Sequence, residues 1–208
     1  MPHKIRLAFI PVLFTLLFPF NNQAQNYDCS SIDKTGFIKK AFLSFEKDLF
    51  KYYNFGTDST KTYRTFLAEV ASLSLDLRKL PSDNSIRLTR EFKTKIGDKN
   101  SIWIKLSDYE KNEATKKAQP SSTTSNKEEI LIFNYRGGFI QCLKNTNNSK
   151  EFKELIYKLE NDGNISTSLI AQKIYYLTDK EISSPQIKKY IAFDIYYSIL
   201  MVIEKAFK

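Results

Sequence analysis

Apolar residues recur at three- and four-residue spacing along most of the chain, the period of one helix face. Ile38, Phe42, Phe45, Leu49 and Tyr52 or Tyr53 predict a first helix over about 33–54. Gly56 offers a stop, and Asp58, Ser59 and Thr60 are capping candidates for a second helix over about 60–79. Its stripe is Tyr63, Phe66, Leu67, Val70, Leu73 and Leu77. Leu88, Phe92 and Ile96 predict a third helix over 84–96, and Ile102, Trp103, Leu106 and Tyr109 a fourth over 101–112. From 111 to 129 no side chain is both apolar and larger than alanine, so this stretch cannot offset its ordering entropy and reads as a disordered loop.

Beyond it, Ile130 to Phe133 is short and β-prone, predicting one extended segment near 130–135. After Gly137-Gly138, the residues Phe139, Ile140 and Leu143 suit either a hairpin return or a helix. Phe152, Leu155, Ile156 and Leu159 predict a helix over 149–161, closed by Asp162-Gly163. Ser166 caps another over 167–177, and Thr178-Asp179 opens a short turn. Ser184-Pro185 is a strong start signal for a last helix over 185–207. That helix is apolar around nearly its whole circumference, which places it at the centre of a bundle or against a partner. The expected fold is all-α: an irregular bundle of about six to eight helices, with helical halves at about 30–110 and 130–208 in one domain spanning 25–208.

Residues 1–24 have the layout of a secretory signal. Lys4 and Arg6 precede an apolar run from Leu7 to Phe20, and the chain turns polar at Asn21. The run is too short for the roughly 20 residues of a spanning helix. Cleavage after Ala24 predicts a periplasmic or cell-surface protein. Export also gives meaning to Cys29 and Cys142, the only two cysteines, which can bridge in an oxidising compartment. The alternative is two thiols, with Cys142 buried as a small apolar residue.

Composition removes several chemistries. The one histidine, His3, lies in the signal, so the mature chain carries no imidazole for nucleophile activation, proton shuttling or metal ligation. Two cysteines cannot form a four-thiolate zinc site, and six scattered glycines form no phosphate-binding loop. No metal and no cofactor are expected. The chain has 32 basic and 23 acidic side chains, a net charge of +9, with both signs interspersed. Its basic clusters are pairs, which argues against nucleic acid. A lysine-rich surface is compatible with peripheral contact to anionic membrane. No span is expected in the mature chain, since Ile191 to Ile203 is short and contains Asp194.

Asp194 is the leading chemical candidate. Placed on an apolar helix, its carboxyl must be hydrogen-bonded, or serve as an acid with a raised pKa. Glu69, Ser72 and Asp76 share one flank of the expected second helix, a pattern that suits either a carboxylate pair for glycoside hydrolysis or an exposed polar face. The adjacent pairs Tyr52-Tyr53, Tyr175-Tyr176 and Tyr196-Tyr197 are ligand or interface candidates. Adjacent helical positions cannot both face fully inward, so one tyrosine of each pair is expected to be partly exposed. Core filling at the bundle edge is the alternative.

The segments Gly138-Phe139-Ile140-Gln141-Cys142-Leu143 and Asp162-Gly163-Asn164-Ile165-Ser166, then Leu169-Ile170-Ala171 and the helix after Pro185, resemble a group of uncharacterised exported helical proteins of Bacteroidota-type bacteria. The resemblance covers about residues 134–208. It implies an envelope location and supplies no activity. The functional expectation is a non-enzymatic binding protein of the cell envelope, with another envelope protein as partner. The alternative is a carboxylate-based glycan enzyme or sugar-binding module.

Overall fold

Local capping sets most of the helix starts. In the computed structural model, which describes residues 32–96, 101–114, 130–162 and 165–207, α1 covers Phe37–Tyr53. The Asp33 carboxylate accepts from the amides of Ile38 and Lys39 at 2.9 and 2.8 Å, satisfying donors that the first turn leaves open. Helix α2, Ser59–Ala71, is capped by Asp58, and α3, Asp83–Thr94, by Ser82. Strand β1 (Trp103–Lys105) leads into α4 (Leu106–Ala114), and β2 covers Leu131–Phe133. Then follow α5 (Gly138–Thr146), α6 (Lys150–Asp162), α7 (Thr167–Tyr175) and the single turn α8 (Asp179–Ile182). The terminal helix starts at Pro185 as an α-helix to Tyr190 and widens to a π-helix over Ile191–Tyr197. It returns to α geometry over Ser198–Ile203 and closes in a 3-10 turn over Glu204–Ala206.

The expected all-α bundle is therefore what the chain forms. The choice left open after Gly137 resolves to helix α5. A β-carbon at Gly137 would stand 2.7 Å from Asn134 Nδ2 and 2.9 Å from its Cγ, so a side chain there would have to displace the Asn134 amide that donates to the Ser101 carbonyl at 3.2 Å.

Three local expectations need correction. The second helix stops at Ala71 and not near 79. Ser72 bonds back to the Ala68 carbonyl through both its amide and its hydroxyl, and the Ser74 amide reaches the Glu69 carbonyl at 2.9 Å. With the Leu73 amide on the Val70 carbonyl, this is a Schellman closure. The segment 101–112 is a strand followed by a helix. Trp103 pairs with Phe133 and Lys105 with Leu131 in an antiparallel ribbon. Its apolar spacing suits either period, and the partner strand decides. Finally, residues 111–114, expected to belong to the polar loop, are helical, because α4 runs to Ala114. Residues 115–129, the segment 1–24 read as a signal, and Cys29 lie outside the described residues.

The helices on both sides of the polar stretch share one core. The terminal helix runs through it: every residue from Tyr190 to Tyr197 is buried. Phe193 sits at its middle, with ring centroids 5.1 Å from Phe139, 5.9 Å from Phe92 and 6.3 Å from Trp103. Burying such a side chain stabilises by about 1.5–3 kcal/mol. The helix is thus central to the bundle, the first of the two places its all-round apolar sequence allowed.

Candidate functional site

Asp194 lies within the π-helical stretch and is 3% exposed. A π-turn inserts a residue into the i→i+4 ladder, and such insertions are frequent at functional sites. The Ser198 hydroxyl supports the widened turn by donating to the Phe193 carbonyl at 3.2 Å, and it accepts from Trp103 Nε1 at 3.0 Å. The Tyr135 hydroxyl donates to both carboxyl oxygens of Asp194, at 3.1 and 3.2 Å. The Tyr190 hydroxyl lies close enough to favour the charged carboxylate, yet it meets no described residue with hydrogen-bond geometry. Burial dominates over both tyrosines and lifts the Asp194 pKa to about 7. Burial and the neighbouring carboxyl push the Tyr135 and Tyr190 hydroxyls well above their ordinary range. The group is a carboxyl that exchanges a proton near neutrality while enclosed by two neutral phenols. It is neither an ion pair nor an acid facing solvent.

A second carboxylate is buried as deeply. Asp48 on α1 is 4% exposed. Its Oδ2 accepts from the Ser85 hydroxyl at 2.6 Å, the Tyr196 hydroxyl at 2.6 Å and the Ser82 amide at 3.1 Å. The Ser44 and Ser85 hydroxyls lie 2.8 Å apart beside it, and Asn84 Nδ2 donates to Ser44 at 2.7 Å. The signal was present, because Asp48 lies between Phe45 and Leu49 on the apolar face of α1. Three donors on one carboxylate oxygen describe a closed structural network that ties α1, α3 and the terminal helix together.

Glu69, Ser72 and Asp76 do not share a helix flank, since α2 ends between them. The structure instead brings Glu69 to the first tyrosine pair. The Tyr53 hydroxyl donates to Glu69 Oε2 at 2.8 Å, and Tyr52 stands edge-on to Tyr53 at 4.8 Å. Burial raises the Tyr52 hydroxyl pKa, with smaller contributions from Glu69 and Asp76. Asp76 pairs with Lys79 at 3.1 Å. Its pKa is lowered by the hydrogen bond from Lys79 and by the Arg78 amide.

The tyrosine expectation holds at two pairs and fails at the third. Tyr52 and Tyr53 are both half-buried, and Tyr175 is half-buried beside an exposed Tyr176. Tyr196 and Tyr197, by contrast, are 2% and 0% exposed. From Tyr190 to Tyr197 the terminal helix is enclosed on every side, so facing away from one neighbour means facing another. Tyr197 donates to the Ala41 carbonyl at 2.9 Å, next to the Tyr196–Asp48 contact. Cys142 is buried on α5.

Among the described residues no group of three or more His, Cys, Asp or Glu side chains comes together to hold a metal ion. No described helix is long and apolar enough to cross a membrane. Comparison of the chain with protein-family models, curated proteins and solved structures gave no match.

Proposed function

We propose that the protein is an exported, non-enzymatic binding protein of the cell envelope whose partner is another envelope protein. Leu73 carries the reading. It occupies the C′ position of the α2 closure at φ 58°, in the left-handed region, and is 83% exposed. Glycine is the usual residue there, and a side chain costs about 1–2 kcal/mol. A bulky apolar group held out in water on strained backbone is suited to anchoring a partner. A carboxylate enzyme needs its acid to face substrate, whereas Asp194 and Asp48 give their oxygens to buried hydroxyls.

The apolar run Leu7 to Phe20 supports export through a cleaved signal. In the oxidising compartment a Cys29–Cys142 bridge would close a loop of roughly 110 residues, worth about 4–5 kcal/mol on loop-entropy grounds. The resemblance over residues 134–208 supports a bacterial envelope location.

Envelope extracts passed over the immobilised mature chain test the proposal, with Leu73→Ser as the comparison. The expected result is a discrete partner that wild type retains and the variant loses. A strict monomer by light scattering that captures nothing, or equal capture by both proteins, would overturn it. Cell fractionation checks export. Non-reducing mass spectrometry checks the bridge, and two free thiols would remove it.

A further inference from the structure

We infer that the outer face of α6 and α7 is a docking surface for an acidic polysaccharide. It rests on residues that the Leu73 proposal does not use. On α6, Phe152, Leu155, Ile156 and Leu159 face the core. The helical period therefore turns Lys153, Glu154, Tyr157 and Lys158 outward, and all four are exposed. On α7, burial of Ile170 and Ile174 leaves Lys173 and Tyr176 outside. Tyr157 is 65% and Tyr176 76% exposed, so each presents most of its ring to water.

The face is concave on both sides of the α6 ridge. A cleft of about 260 Å³ lies between α6 and α7, with Lys158, Lys173 and Tyr176 in its lining. A depression of about 460 Å³ lies on the other flank, with Lys153, Tyr157 and Lys158. Lys158 and Glu154 border both. The cleft thus combines the Tyr176 ring with two lysines, and the depression combines the Tyr157 ring with three, of which Lys144 is paired with Glu160 at 2.6 Å. Lys153, Lys158 and Lys173 form no salt bridge among the described residues. Glu154 is engaged by Lys150 at 3.8 Å, and Glu151 is the remaining carboxylate of the cleft.

The two linings carry Lys144, Lys153, Lys158 and Lys173 against Glu151 and Glu154, an excess of positive charge that favours an anionic occupant. The 30 basic and 23 acidic side chains that remain without Lys4 and Arg6 draw one in from a distance. Lysine is depleted in protein–protein interfaces, which disfavours a folded protein partner here. An ammonium on a flexible stem suits point contacts to carboxylate or sulfate. Tyrosine offers an apolar ring with a polar tip, which matches the C–H face and hydroxylated edge of a pyranose. A flat bilayer surface cannot enter two hollows, whereas a chain of sugar rings can cross the ridge between them.

Calorimetric titration of the full mature chain with polygalacturonate, at about 0.05 M and about 0.3 M salt, tests the proposal, since screening is much stronger at the higher value. Dextran of similar length and phosphatidylglycerol vesicles are the comparison probes. Binding to polygalacturonate is expected, weaker at the higher salt. The Lys153→Gln, Lys158→Gln and Lys173→Gln changes should each weaken it, by about fivefold per lysine. Tyr157→Ala and Tyr176→Ala should weaken it without changing the salt dependence. Failure to bind polygalacturonate would overturn the proposal. So would equal binding of dextran, unchanged binding by the triple lysine variant, or binding to vesicles alone.

Discussion

Tyr135 donates one hydroxyl across both carboxyl oxygens of Asp194, at 3.1 and 3.2 Å, in the middle of the π-helical stretch. The two residues are 59 positions apart and both buried. The contact couples the turn before α5 to the protonation state of the central helix.

That coupling has a sign. The folded pKa of Asp194, about 7, lies above its model-peptide value. The folded state therefore holds the proton more tightly than the unfolded chain. The resulting stability is full below about pH 4, declines as pH rises toward 7 and is gone above it. The change is on the order of 4 kcal/mol at most. Tyr135 and Tyr190 face the group and stay neutral across this range. Urea unfolding between pH 4 and 8 should show the decline, and Asp194→Asn should flatten it. An unchanged slope in the variant would refute the assignment.

Glu204 acts in the opposite direction. Burial pushes its pKa up, but Lys93 at 2.8 Å and Arg90 at 3.2 Å outweigh that and hold it low. Its contribution is present above the unfolded value of about 4.3 and is lost as pH falls through the folded pKa. Glu204→Gln should lower stability at pH 7 by about 1–2 kcal/mol. The deficit should shrink in acid, as thermal melts at pH 7 and pH 3 would reveal.

Tyr196→Phe removes the 2.6 Å donor to Asp48. It keeps the ring, which packs 5.1 Å from Phe45. A buried carboxylate left short of one donor should cost about 1–3 kcal/mol. The exposed Tyr176→Phe should cost nothing measurable, and equal melting temperatures for the two variants would contradict the network.

Leu73→Gly should move stability and binding in opposite directions. Relief of the left-handed strain, partly offset by the entropy of glycine in the unfolded chain, should stabilise by about 0.5–1 kcal/mol. Partner capture should fall. A denaturation midpoint below that of wild type would show that the leucine earns its position by packing and not by binding.

Much of the architecture was legible in the chain. The stripe from Ile38 to Leu49, the caps at Asp58 and Ser166, and Ser184-Pro185 each placed a helix start within a few residues of the observed one, although the end of the second helix, expected near 79, falls at Ala71. Asp194 was legible as a buried acid because its neighbours are apolar on every side. Asp48 was not, although it interrupts the stripe of α1 in the same way. Its donors come from Ser82, Ser85 and Tyr196, at 34, 37 and 148 positions away.

Sequence by itself determined where most helices begin, which faces are apolar, and that the last helix must be covered, by the bundle or by a partner. These depend on interactions within one or two turns, and periodicity and capping chemistry record them directly. Tertiary structure alone decided that 103–105 is a strand, since only pairing with Leu131–Phe133 distinguishes the two periods there. It decided that the central helix widens at Ile191–Tyr197 and buries two adjacent tyrosines together. It also decided that Asp194 faces Tyr135 and Asp48 faces Tyr196, where a carboxyl group's protonation and partners depend on residues far along the chain.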